Sequence, residues 1–427
     1  MEYALVFLAV VLFLVVAFSL FNEKVTKMPD EIALLLFSLV VGVVLSVLIK
    51  NEIISFSDNI VEAVTEFRLD KILLEVLLCF MLFTGASELK LPSLVHNIKH
   101  ISLLALLTTL IASSVYGVLF WVVTKIIGLD VGFTLCFLLG SIVSPTDPIA
   151  ATGILNKMGL TKNVTAVMEG ESLFNDGTGV ALFIFIKDLY LDTKSSNFLL
   201  VMGKELFGAI FVGLVLSFVF ALLLKATRDP IKHIIISMLT VALCYTICEH
   251  NGFSGVIASV VCGIYFSTMM DKYKATDADL DPADYYKDFW AIIDKLLNYM
   301  LYVLIGMSFL YVTKVKLFVV VAIAAIVFNL VARYIGVYIS AKISRQCPDN
   351  YPMQPFSLLM TWGGLKGGLC LALAMSAVEY LPEEAYSFIL FVTYITIIFT
   401  TLVQGLTVGK VFEFLKAKWG IASAESK

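Results

Sequence analysis

The chain has 427 residues, 60% of them hydrophobic and 15% charged, with a net charge of −4 and a mean hydropathy of +0.95. A soluble protein would carry about 25% charged residues. The composition therefore excludes an ordinary soluble enzyme, and the absence of a basic patch argues against a nucleic-acid partner.

The apolar residues fall in runs of roughly 18 to 28, matching the length that crosses the hydrocarbon core. They predict an all-α polytopic membrane protein, residues 1–427 forming a single transmembrane domain of about thirteen spans. In chain order these are 3–21, 31–49, 71–87, 101–124, 131–156, 163–189, 199–224, 231–248, 253–270, 288–311, 316–341, 353–378 and 384–409. The first has no basic leader and no small-residue cleavage site, so it reads as a retained span rather than a signal peptide. Span 3 carries Glu75 and Glu88 near its ends, where they are expected to face water. His96, His100, His233 and His250 fall in or near loops, where they would at most tune a pH response. The acidic segment Asp271 to Asp288 alternates Asp and Lys and reads as a solvated loop. In span 10, Asp294, Lys295 and Asn298 are expected to pair within their own helix. The seven cysteines lie mostly inside apolar runs and act as small hydrophobes, with no disulfide framework or metal site implied.

Loops after the odd-numbered spans, with the C-terminal tail, hold about twice as many Lys and Arg as the other side. That side, with Lys24, Lys27, Lys90, Lys157 and Lys162, is expected to be cytoplasmic, placing the N-terminus outside and the C-terminus inside.

Two spans are interrupted. Span 5 contains Ser144-Pro145-Thr146-Asp147-Pro148, and each proline removes a backbone donor and disfavours helix before it. Span 12 contains Gly363-Gly364-Leu365-Lys366-Gly367-Gly368, a weak helix by composition. If spans 1–6 and 8–13 are repeats, the two breaks correspond, and the intervening span 7 makes the repeats inverted. Broken helices at matching positions of inverted repeats mark a transporter's binding site.

A carboxylate at bilayer depth is costly and points to function. Asp147 sits at the first break, where it either lines an ion or proton path or offsets a helix-end charge. Lys366 sits at the second break and reads mainly as a structural charge. In span 6, Glu171, Ser172, Asn175 and Asp176 fall within one and a half turns. Ser172 and Asp176 share a face and can converge with Thr146 and Asp147 to give a hard cation the oxygen ligands it needs. Asp176 can hold either a cation or a proton, which suffices for exchange. Arg333, deep in span 11, needs a buried partner, and Glu171 is the candidate.

SPTDPIAATGIL, ESLFNDGTGVALF and WGGLKGG, in this order and spacing, resemble the monovalent cation:proton antiporters of the NhaP and NHE type over nearly the whole chain. The resemblance implies a homodimer of thirteen-helix subunits in inverted repeats, exchanging Na⁺ or Li⁺ for H⁺ in the cell membrane and serving pH homeostasis, with no cofactor. It places the cation at Asp176, with Thr146, Asp147, Ser172 and Asn175 in support, and makes Glu171 and Arg333 a buried ion pair. It implies a core, 101–189 and 316–409, moving against a dimerisation scaffold, 3–87 and 199–311. Members commonly have Arg where Lys366 stands, and Lys lacks the planar fork. The short tail after span 13 suggests a prokaryotic member. Asn175, a neutral amide where electrogenic relatives carry a second Asp, implies electroneutral exchange.

K⁺/H⁺ exchange on the same fold is the competing reading. An intramembrane aspartyl protease would need Gly-x-Gly before its second Asp, but Leu173-Phe174-Asn175 precedes Asp176. A channel would be expected to show a filter or symmetric pore loops, and none is visible.

Overall fold

A computed structural model describes residues 2–51, 77–147, 149–192, 198–272, 282–311 and 318–419. Pro148, Glu75, residues 71–76 of span 3, residues 273–281 of the acidic loop and the tail beyond 419 lie outside them. Among the described residues, regular structure is helical apart from one isolated bridge between Asp147 and Leu365. Hydrocarbon offers no partner for backbone amides, so a lipid-facing chain must pair them within helices.

Two helices open the chain, α1 (Glu2–Phe21) and α2 (Asp30–Lys50). The turn between them is tied by Asn22, whose Nδ2 donates to Met28 O and to Asp30 Oδ1, each at 2.8 Å. Next come α3 (Leu78–Glu88), α4 (Leu91–Leu103) and α5 (Thr109–Ile126), with a π turn at Leu104–Thr108 keeping α4 and α5 continuous. Then follow α6 (Phe133–Val143), α7 (Ile149–Lys157), α8 (Lys162–Tyr190), α9 (Phe198–Lys225), α10 (Pro230–His250), α11 (Gly255–Lys272) and α12 (Pro282–Met307). The last part holds α13 (Phe318–Ser344), α14 (Met353–Trp362), α15 (Gly368–Ser376), α16 (Glu383–Ile398) and α17 (Gly405–Trp419). Local chemistry sets several starts. Pro230 occupies the first turn of α10, and Asp229 Oδ1 accepts from Ile231 N at 3.0 Å.

Eight helices among the described residues are long and apolar enough to cross a membrane, against about thirteen expected spans. The others differ for physical reasons. Spans 5 and 12 are each two short helices, span 9 is a shorter apolar helix, Gly255–Asp271, span 3 is described only from Leu77, and α8 carries Glu169, Glu171 and Asp176. The span expected at 101–124 begins ten residues earlier, at Leu91, because Pro92 starts an amphipathic helix that buries Leu94, Asn97 and Ile101. His96 and His100 are therefore helical rather than loop residues, and His100 Nδ1 lies 2.8 Å from Ser344 Oγ.

The apolar side chains form two clusters. The larger surrounds the breaks in spans 5 and 12 and includes Leu139, Val143, Met168, Leu365, Leu371 and Ile397. Val15 of α1 and Leu35 of α2 join it. The smaller lies among α3 and α9–α12, with Phe83, Cys244, Cys262, Phe266 and Trp290. Helices α2 and α12 approach so closely that a Cβ on Gly306 would fall 1.8 Å from Ser38 Oγ. That contact fixes α12, which lines one wall of the site.

Candidate functional site

Two stretches of non-helical backbone cross inside the larger cluster. Helix α6 stops at Val143, before Pro145, and α7 resumes at Ile149. Helix α14 stops at Trp362, and the glycines that follow delay α15 until Gly368. At the crossing Asp147 N donates to Leu365 O at 2.9 Å, forming an antiparallel bridge. Two helix C-termini and two N-termini thus converge, partly negative and partly positive respectively.

The two charges at the crossing meet these ends. Lys366, 2% exposed, donates from Nζ to Ser144 O at 3.0 Å and Pro145 O at 3.1 Å, the carbonyls just beyond α6. An ammonium with three donors serves two separate carbonyls without the fork of an arginine. Asp147 Oδ1 accepts from Ile149 N at 3.0 Å, capping α7. A Cβ on Gly367 would sit 2.9 Å from Asp147 Oδ2, so the same carboxylate also lies against the start of α15. Tyr302 of α12 donates to Asp147 Oδ2 at 3.4 Å.

Helix α8 clamps the first break. Ser172 Oγ donates to Thr146 O. Asn175 Nδ2 donates to Thr146 Oγ1 at 2.7 Å and to Glu171 Oε1 at 2.9 Å, while its Oδ1 accepts from Thr146 N at 3.4 Å. Glu171 also accepts two parallel bonds from Arg333, Nη1 to Oε1 at 2.7 Å and Nη2 to Oε2 at 2.8 Å. Glu171 is 2% and Arg333 3% exposed, so the pair expected from the sequence is formed and fully buried.

A cavity of about 370 Å³ reaches this crossing. Asp147, Asp176, Thr146 and Ser172 line it, as the shared face of positions 172 and 176 predicts. Asn175, Glu171, Arg333 and Lys366 stand behind that wall. Asp147 gives one oxygen to α7 and keeps the other on the cavity side, whereas no donor among the described residues bonds Asp176. The charges acting on Asp176 are Asp147, Glu171 and Lys366. Carboxylate, hydroxyl and carbonyl oxygens converge here, a hard donor set suited to a monovalent cation, and the carboxylates equally accept protons.

The cavity also takes in acidic residues outside the expected cation set, of which the sequence reading passed over Glu31 and Glu169. Glu31 and Glu169 line it, and so do Glu88 and Asp294. Asn298 does pair with Asp294 as expected, Nδ2 to Oδ2 at 3.0 Å, but both side chains belong to the cavity wall. Tyr302 was also missed. Its signal was the spacing Asp294, Asn298, Tyr302, every fourth residue, which draws one polar stripe down an apolar helix.

A profile of the family described as sodium/hydrogen exchanger, transmembrane, matches residues 6–414. This chain belongs to that family. It is 30% identical to the Na(+)/H(+) antiporter NhaH of Halobacillus aidingensis, over 96% of this chain and 98% of that one. It is 29% identical to the Na(+)/H(+) antiporter NhaP of Pseudomonas aeruginosa, over 91% of each chain. Among solved structures it is similar in fold to the sodium proton antiporter MjNhaP1 of Methanocaldococcus jannaschii, with a TM-score of 0.75 at 23% identity, covering 96% of this chain and 98% of that one. The family is one of transporters, not enzymes.

The ion pair generates a stability prediction. Glu171→Ala or Arg333→Ala alone leaves a buried charge without its partner and should cost about 3–5 kcal/mol. Replacing both by Leu should cost less than either single change. Thermal unfolding in detergent reads the difference, and equal losses in single and double variants would show the pair to be uncoupled.

Proposed function

We propose that this protein exchanges Na⁺ or Li⁺ for H⁺ across the cell membrane by alternating access, with cation and proton competing for Asp176. The observation that carries the reading is the cavity that ends on Asp176, a carboxylate without a donor among the described residues, beside Asp147 at the crossing of two broken helices. Asp147, Thr146 and Ser172 supply further oxygens. Asn175 acts from behind, because its amide is engaged by Thr146 and Glu171. Na⁺ is favoured as cargo by the names of the matched relatives, and K⁺ in the same assay is the competing reading.

The cavity lies at the start of α2, by Glu31, the end of α3, by Glu88, and the end of α7, by Asn156. The adjoining loops carry Lys24, Lys27, Lys90, Lys157 and Lys162, the set assigned to the cytoplasm. This supports an inward-facing state with the C-terminus inside. We take residues 101–189 and 316–409 as the moving core and 3–87 and 199–311 as the scaffold. The separate cluster among α3 and α9–α12 supports a scaffold with its own core, although α1 and α2 also pack into the larger cluster. An apolar cleft of about 560 Å³, walled by Leu106 and Phe174 on one side and Leu206 and Tyr265 on the other, leaves room between the two bodies. The working unit is taken as a homodimer, as the resemblance implies.

In proteoliposomes carrying a pH dye, Asp176→Asn should abolish Na⁺-driven proton flux while the purified protein stays monodisperse. Robust flux in that variant would refute the reading. With Asp176 alone changing state, each half-cycle carries one positive charge, so wild-type exchange should be electroneutral. Its rate should not respond to a potential set by valinomycin and K⁺, and a strong response would mean that Asp147 titrates as well.

A further inference from the structure

Helix α12 offers a cation a second place to stop. Asp294 lies in the cavity wall about two turns before Tyr302, or about 12 Å along the helix axis at 1.5 Å per residue. Its carboxylate is held from two sides. Thr84 Oγ1 of α3 donates to Oδ1, and Asn298 Nδ2 donates to Oδ2 at 3.0 Å. Both helpers are 2% exposed, so the carboxylate is fixed by rigid, buried groups.

The deciding feature is Asn298. Its amide nitrogen is spent on Asp294, at Oδ2 and at the backbone O, both 3.0 Å. Its carbonyl oxygen Oδ1 is buried without a hydrogen-bond partner among the described residues, and the residue lines the cavity. A buried carbonyl oxygen without a donor is costly to keep. A cation relieves that cost, since it needs oxygen acceptors and supplies the positive charge that a carbonyl and a carboxylate share. Glu31 and Glu88 line the same cavity and strengthen its negative field, while Lys295 weakens it.

We propose that Asp294 and Asn298 Oδ1, with Thr84 positioning the carboxylate, form a second monovalent-cation site at the entrance to the cavity. It rests on the exchange reading above and gives it an ordered path. The cation leaves bulk water at Asp294 on α12, then passes along the face of Asn298 and Tyr302 to Asp147 and Asp176. Because α12 belongs to the scaffold and Asp176 to the core, the entrance site stays in place while the transport site moves. It loads the transport site and does not itself cross.

Binding of radiolabelled Na⁺ to purified full-length protein tests this, with Asp176→Asn as the background. That variant should still bind Na⁺ saturably although it no longer exchanges. Adding Asp294→Asn should remove this binding component. Adding Asn298→Leu instead, which leaves the charge unchanged, should weaken it about tenfold, the weight of a good oxygen contact to a charged group. Asn298→Leu also guards against misfolding of the Asp294 variant, and both are checked by thermal unfolding. Binding that is missing from the Asp176→Asn background, or that persists unchanged with both added substitutions, overturns the entrance site. Binding that responds to Asp294→Asn but not to Asn298→Leu also overturns it, because a field without a site would do the same. Exchange that survives Asp176→Asn would instead strike the transport reading, and the two failures are distinct.

Discussion

Everything at the centre of this protein follows from leaving backbone unpaired at bilayer depth. Interrupting a helix in the membrane exposes carbonyls at one end and amides at the other, and lipid can satisfy neither. Here the ends are met internally. Lys366 takes the carbonyls of Ser144 and Pro145, Asp147 takes the amide of Ile149, and the two stretches bond to each other between Asp147 and Leu365. The break thus supplies a concentration of oriented dipoles and two charges in a place where water alone could not hold them.

Once the crossing is held, the polar residues of α8 divide their work. Asn175, Glu171 and Arg333 form a buried chain of hydrogen bonds that fixes Thr146. Such a network rigidifies when its members are matched and is costly when one is removed. Asp176, one residue beyond Asn175, is outside the chain and turned to the cavity. Its neighbours leave its charge uncommitted, which is what a group shared between cation and proton requires. A carboxylate already bonded to two or three donors would favour the ionised state and release cation and proton on unequal terms.

Much of this was legible in the sequence. The prolines at 145 and 148 and the glycines from 363 to 368 announced both breaks, and the spacing of Ser172 and Asp176 placed two oxygens on one face. The need of Arg333 for a partner led to Glu171, and the bidentate contact is there. The motifs carried the family, which the match over residues 6–414 establishes. Other features were hidden because they arise between helices distant in the chain. Tyr302 meets Asp147 across 155 positions, and Thr84 meets Asp294 across 210. No local periodicity says which helix will face which. Asn175 could be seen as polar and neutral, but its position behind the wall depends on Thr146 in the break between α6 and α7. The start of α4 was missed for a different reason, since His96, Asn97, Lys99 and His100 lowered the local hydropathy although the helix continued.

If one carboxylate serves both ions, each cation bound at the crossing must displace a proton, and proton release on cation binding is the measurement that decides it. Na⁺ would be added to purified protein in weak buffer, with a pH dye following the protons set free. Release should approach one proton per Na⁺ bound at the crossing as the starting pH is lowered, and Asp176→Asn should lose that component of the release. Saturable Na⁺ binding at the crossing that frees no proton at any pH would contradict a shared carboxylate.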